Sequence, residues 1–328
     1  MRWDDPGAPQ RSPADAASIV NILKKCLVDG YGDTDPLGWT LEFEDAPGGV
    51  AVFRNSPVTG SGGYFRISPY NVPTNAYIRT QSAMAATGSA PADLFAPGYL
   101  NSVPTEAALT RWIIVGDERA FYFLLHHSTT DFVSSTMSVA MFIGDFTPVI
   151  PTDVATFICT GANANSVTSS LTVNFTSINT GPLSCASGRT NQLINALGGD
   201  NSRSRLGIPT GVSGSSSYNP YALYLAGEIG ESYLANADNT EFPAGGLIQP
   251  VALKRDVSVS QSRMTDVENP FIRGYLPGLI GLGWKTHYGT PWPAFKEIEN
   301  AQHLGVALNS LSSTYGGVML WINTEDWG

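Results

Sequence analysis

The chain has 328 residues, a formal net charge of -10, charged residues at 14% and aromatic residues at 10%, with 34 Gly and 22 Pro. Its 18 Lys and Arg are spread along an acidic chain, which argues against broad nucleic-acid binding, because neutralising phosphates needs clustered cations. No stretch approaches the roughly 18 apolar residues of a membrane-spanning helix, so no membrane insertion is expected. The length fits two domains, or one large β unit with an inserted subdomain.

Residues 1–12 open as MRWDDPGAPQ, polar and broken by proline. They are expected to form an extended arm able to clasp a neighbouring subunit. Ser12 and Pro13 then supply an N-cap and a first helical residue, and Ile19, Ile22, Leu23, Cys26 and Leu27 recur at helical spacing. The pattern predicts a helix over Pro13–Val28, with Lys24 and Lys25 favouring its negative end and Gly30 as the left-handed stop. After a turn cluster at 32–38, Trp39, Leu41 and Phe43 alternate with Thr40, Glu42 and Glu44, the mark of a half-buried strand. Val50–Arg54 and Tyr64–Ser68 continue it as a meander.

The stretch RWIIVGDERAFYFLL, Arg111–Leu125, is the best hairpin in the chain. Its arms are apolar on both faces, which places it centrally in a sheet. Ser138–Phe142 adds a strand, so 13–155 reads as a helix plus antiparallel β domain. Residues 156–240 are rich in Ser, Thr, Asn and Gly and read as an insertion, either loop or ordered against a neighbouring subunit. In 241–328 the sheet pattern returns at Leu247–Val259, His303–Ser310 and Val318–Asn323, completing the same core. Arg273–Gly278, Thr290–Pro293 and the glycines Gly278, Gly281 and Gly283 read as turns. The expected fold is mainly β, a β-rich α+β arrangement of antiparallel, sandwich-like sheets with one N-terminal amphipathic helix and long irregular loops.

Residues able to carry chemistry are few. Glu42 and Glu44 share a face of the predicted strand and can be paired as acid and nucleophile for glycoside hydrolysis, but two carboxylates on the polar side of a strand fit the pattern as well. His126 and His127 are adjacent and so point to opposite faces, and neither they nor His287 and His303 form a metal-binding pattern. Cys26, Cys159 and Cys185 form no CxxC pair and read as free buried thiols of a protein folded in a reducing cytosol. No GxSxG elbow and no phosphate-binding loop occurs, and no cofactor is expected. Tyr218, Tyr221, Tyr224, Trp284, Tyr288 and Trp292 lie near Gly and Pro, where loops can expose rings for stacking or subunit contact.

One set of motifs occurs in a characteristic order: Asp4-Asp5-Pro6-Gly7-Ala8-Pro9 after Trp3, Asp29-Gly30-Tyr31-Gly32, Gly38-Trp39, Arg111-Trp112 with Gly116-Asp117, Gly144-Asp145, Arg273-Gly274-Tyr275-Leu276-Pro277-Gly278, and Trp327 near the end. In residues 1–150 and 245–328 the chain resembles a group of tailed-bacteriophage virion proteins that share this order. The resemblance implies a non-enzymatic structural component of a virion, made in the host bacterial cytoplasm and placed in the tail or baseplate. It implies homo-oligomers and other virion proteins as partners. A head decoration or fibre-base protein is one alternative; a tail-associated carbohydrate-binding protein or glycan hydrolase, acting on a host surface glycan, is another. Candidate subunit-contact residues are Trp3, Asp4, Asp5, Pro6, Tyr221, Tyr224, Trp284 and Trp292.

Overall fold

A computed structural model describes residues 1–12, 16–70, 77–83, 85–86, 94–95, 101–104, 109–133, 138–152, 156–159, 192–193, 206–207, 221–225, 248–255, 272–286, 290–307 and 317–327. The chain begins with one helix, α1 (Ala16–Lys24), which widens into a π turn over Lys25–Asp29. Strands β1 (Thr40–Asp45), β2 (Val50–Arg54), β3 (Tyr64–Tyr70) and β4 (Tyr77–Ala83) follow as a meander. After a short ribbon of β5 (Ala85–Ala86) and β6 (Leu94–Phe95), β7 (Asn101–Pro104) joins β4 and gives a sheet of order β1-β2-β3-β4-β7. The second sheet takes β8 (Arg111–Gly116), β9 (Ala120–His126), β10 (Ser138–Asp145) and, beyond β11 (Thr147–Pro148), β12 (Phe157–Cys159), in the order β12-β10-β9-β8. A second ribbon pairs β13 (Gln192–Leu193) with β14 (Leu206–Gly207). The third sheet comprises β15 (Tyr221–Leu225), β16 (Ile248–Arg255), β17 (Ile272–Thr286), β18 (Ala294–Ile298), β19 (Ala301–Ala307) and β20 (Gly317–Asn323), ordered β15-β16-β17-β20-β19-β18, with β11 paired to β17. The described pairings between strands are all antiparallel, and the fold is mainly β.

The second sheet is the middle layer, and the alternation along its strands says why. Ala120, Tyr122 and Leu124 of β9 pack, with Ile113 of β8 and Phe142 of β10, into a core against Leu276, Leu304, Leu320 and Ile322 of the third sheet. Phe121, Phe123 and Leu125 point the other way, into a core with Ile19, Leu23 and Leu27 of the helical segment and Ala51, Phe53 and Phe65 of the first sheet. A strand buried on both faces reads as a nearly continuous apolar run, and all of β9 is buried, from Ala120 through Leu125 to a buried His126. Each of its large side chains contributes roughly 1.5–3 kcal/mol by leaving water. Of the hairpin Arg111–Leu125, expected to lie centrally in a sheet, β9 does so between β10 and β8, whereas β8 stands at the end of the strand order.

Local structure departs from the sequence pattern where long-range contacts intervene. The helix ends in a π turn: the Gly30 N–H donates to the Lys25 carbonyl at 2.8 Å, with Gly30 at φ 78°. The carbonyls of Cys26 and Leu27 instead accept from the Leu37 and Trp39 N–H groups, each at 2.9 Å, so the turn cluster folds back onto the helix end. Residues 13–15 of the expected helix lie outside the described residues. In β1 a bulge at Glu42 breaks the alternation, with Leu41 opposite Phe53 but Phe43 opposite Val52. Neighbouring residues of β2 face opposite ways, so Leu41 and Phe43 no longer share a face.

The expected turns at Arg273–Gly278 and at Gly278, Gly281 and Gly283 are instead part of the 15-residue strand β17. Two of its glycines, Gly274 and Gly278, serve close packing: a Cβ on Gly274 would run into the Phe146 ring, and Gly278, at φ +64°, lies against the Trp327 ring. Pro277 falls where the ladder to β16 is interrupted, between the pairs Pro250 with Ile280 and Ala252 with Tyr275. The boundaries at 155/156 and 240/241 also cut through sheets. Phe157, inside the expected insertion, is buried on β12 beside β10, and β15 pairs with β16. Most of 160–220 lies outside the described residues.

Candidate functional site

Residues 1–11 run along the open edge of β8 of the same chain. The Met1 ammonium donates to the Ile114 carbonyl at 3.2 Å, the Ile114 N–H donates to the Met1 carbonyl at 3.0 Å, and the Trp3 N–H donates to the Trp112 carbonyl at 3.0 Å. The Trp112 indole N–H returns a bond to the Pro9 carbonyl at 3.0 Å. Asp5 accepts from the Tyr31 hydroxyl at 2.9 Å and from the Arg2 N–H at 2.7 Å, while Asp4 pairs with the Arg2 guanidinium at 2.8 Å. Pro6 is exposed, but its carbonyl lies so close to Gly32 that only glycine fits there. The segment expected to clasp a neighbour is bonded here to β8 of its own chain, whose free edge presents unpaired N–H and C=O groups that the segment's backbone can meet.

Trp3 stacks on Trp292 at 4.8 Å between ring centroids, and Trp292 stacks in turn on His126 at 4.1 Å. Trp292 is buried, so the ring expected on an exposed loop is an internal joint between the N-terminal segment, β9 and the entry to β18. The Arg2 guanidinium lies over both the Trp3 and Phe295 rings. Tyr221 and Tyr224 lie on β15, opposite Arg255 and Ala252, and Trp284 lies on β17. The structure gives these three a place in the strands of the third sheet.

The carboxylates and histidines do not converge. Glu44 pairs with Ala51 across the strands, is carried by the bulge to the helix side of the first sheet, and forms an ion pair with Lys24. That hydrogen bond raises the Lys24 pKa. Glu42 accepts from the Thr40 hydroxyl at 2.8 Å. His126 is fully buried, donates from Nε2 to the Thr130 carbonyl at 3.1 Å, and is held down to a pKa of about 4 by burial. His127 bonds Thr129, and His303 bonds the Ala301 carbonyl. His287 lies outside the described residues, as do Tyr218, Tyr288 and Cys185. Among the described residues no cluster of His, Cys, Asp and Glu could hold a metal. Cys26 is a free buried thiol whose pKa burial pushes up.

The sequence marked Asp145 only as half of the Gly144-Asp145 motif; the structure makes it a buried carboxylate at the end of β10. It accepts from Asn55 Nδ2 at 2.8 Å, the Ser61 N–H at 2.7 Å, the Ser61 hydroxyl at 2.6 Å and the Thr156 hydroxyl at 2.9 Å. One side chain so ties the loop between β2 and β3 to the loop between β10 and β12. Gly144-Asp145 was legible as a motif; its partners lie up to 90 residues away and were not.

The other ordered motifs occupy similar joints. The Trp39 indole N–H donates to the Asp117 carbonyl at 3.0 Å, linking the start of β1 to the hairpin turn. Asp117 holds that turn by accepting from the Arg119 and Ala120 N–H groups. The Tyr122 hydroxyl donates to the Pro277 carbonyl at 2.8 Å, and Trp327 packs on Tyr122 and Gly278. No protein-family model matches the chain, and no curated protein matches it.

Proposed function

We propose that the chain is a non-enzymatic structural component of a tailed-bacteriophage virion, sited in the tail or baseplate and acting by oligomeric assembly with itself and neighbouring virion proteins. The observation that supports this reading is where the shared motifs lie. Trp3, Asp5, Tyr31, Trp39, Trp112, Asp117, Asp145, Gly278 and Trp327 join one layer to another through hydrogen bonds and ring contacts. A motif set employed in this way preserves a shape, which is what a building block must present to its neighbours. Glu42 and Glu44, the pair that a tail glycan hydrolase would use, are engaged separately, and this favours assembly over turnover.

The test is particle incorporation. A phage deleted for this gene and complemented with a tagged copy should yield particles carrying the tag at the tail, seen by immunogold labelling. Tag absent from purified infectious particles would refute the reading. Label on the head would replace the tail placement with the decoration reading.

A further inference from the structure

The strand edges of this chain are treated differently from one another. Residues 1–11 cover the edge of β8, and a bulge at Glu42 disturbs β1. β18 (Ala294–Ile298) closes the strand order of the third sheet and has neither device: it pairs with β19 on one side without a register shift.

The hairpin register says which backbone groups lie on its other side. Glu299 and Asn300, at φ 52° and 65°, form the two-residue turn between β18 and β19. The flanking pair, Ile298 with Ala301, is therefore of the hydrogen-bonded kind, and Lys296 with His303 and Ala294 with Gly305 repeat it. Phe295 and Glu297 alternate with these, so their N–H and carbonyl groups point away from β19. Gln302, the cross-strand partner of Glu297, agrees. Its N–H donates to Glu325 at 3.2 Å and its carbonyl accepts from the Thr324 N–H at 2.9 Å, both just beyond β20. Among the described residues, nothing hydrogen-bonds the outward groups of Phe295 and Glu297.

The side chains of these two residues share one face of the strand, and both are exposed, Phe295 at 39%. Lys296 faces the other way, over the Trp321 ring at 6.0 Å, and so does not neutralise Glu297. Glu299 adds an exposed carboxylate at the turn. Among the described residues neither glutamate takes part in an ion pair. The cation beside Phe295, Arg2 at 5.6 Å from its ring, is matched by Asp4. The edge thus offers an apolar position, then a negative one two residues on, each with open backbone groups.

We propose that the outer edge of β18 takes an extended segment of a different protein as an added antiparallel strand, with a Lys or Arg opposite Glu297 and an apolar side chain opposite Phe295. Main-chain bonds to the two outward residues hold the segment, and the carboxylate and the ring set its register. Charge decides the occupant. A second copy paired about a two-fold axis at Lys296 or at Glu297 would set like charges opposite each other, whereas a basic segment meets a carboxylate with no competing cation. The net charge of -10 likewise favours a basic partner over another copy of the chain. This surface rests on the geometry of the edge and goes beyond the assembly reading.

The experiment uses the isotope-labelled full chain and an end-blocked peptide, Thr-Val-Thr-Lys-Thr-Val-Thr, at about millimolar concentration. By NMR the peptide should slow amide exchange at Phe295 and Glu297 and leave Lys296, already bonded to β19, unchanged. The same peptide with Glu for Lys should bind roughly tenfold or more weakly, and Glu297→Lys should reverse that preference. A peptide N-methylated at its lysine and valines keeps the charge, loses the backbone donors and should not bind. Thermal melting confirms that Glu297→Lys is folded; should it not be, the methylated peptide on the wild type still separates an added strand from attraction of charge alone. Absence of protection, protection that survives methylation, or an unchanged preference in Glu297→Lys would overturn the inference. So would self-association in sedimentation that Glu297→Lys alters, since the edge would then belong to a second copy. None of these outcomes bears on particle incorporation, so failure here is separable from failure of the assembly reading.

Discussion

His126→Phe should flatten the acid side of the stability profile. In the native chain His126 is buried against Trp292, and burial lowers its pKa from 6.5 to about 4; in the unfolded chain it titrates near the ordinary value. Between these values the unfolded state binds a proton that the native state refuses, so stability falls with pH through that window and is fully lost only below the native pKa. A depression of this size corresponds to about 3 kcal/mol, of which roughly 2.5 kcal/mol is lost between pH ~7.5 and ~4.5. Phenylalanine keeps the ring on Trp292 and removes the titration. It leaves the Thr130 carbonyl without its imidazole donor, at a cost of about 1 kcal/mol that is independent of pH. Urea unfolding followed by tryptophan fluorescence, with both proteins at several pH values, gives the two curves. They should converge as the pH falls, cross near pH ~5.9, where the histidine has cost the wild type about 1 kcal/mol, and stand about 1.5 kcal/mol apart in the variant's favour at pH ~4.5. Parallel curves would refute the reasoning, since the carboxylates common to both proteins would then explain the whole dependence.

Trp3→Ala should destabilise the isolated chain by about 1.5–3 kcal/mol in thermal melting, because it removes the stack on Trp292; an unchanged melt with impaired assembly would restore the free-clasp expectation. Asp145→Ala strands Asn55, the Ser61 N–H and two hydroxyls and should cost about 3–5 kcal/mol in denaturant unfolding. Asp145→Asn should cost less, since the Ser61 and Thr156 hydroxyls can turn round to donate elsewhere or accept, and equal losses would count against the clamp. In a Cys159→Ser, Cys185→Ser background, Cys26 should react with a thiol reagent only at the rate of unfolding, as its thiol is buried with a raised pKa; rapid labelling of the native protein would contradict its placement.

The mismatches between pattern and structure have one cause. Glu42 and Glu44 were legible as the polar side of a strand, but a single extra residue opposite Val52 sends Glu44 to Lys24. Trp292 read as a loop aromatic from its flanking prolines, yet Trp3 and His126, both far from it in sequence, bury it. The glycines of β17 read as turns because an isolated strand has no use for them; the Phe146 and Trp327 rings that need the room are contributed by other segments.

Side-chain periodicity belongs to the sequence itself, and it determined the helix, the meander, the hairpin and the mainly β class, since burial of one or both faces follows directly from spacing along the chain. Which edge the N-terminal segment would cover, where a bulge would turn a face, and which carboxylate would clamp two loops were decided only by the tertiary structure. Those outcomes depend on backbone groups and rings brought together from distant positions, and a local pattern carries no record of what will stand opposite it.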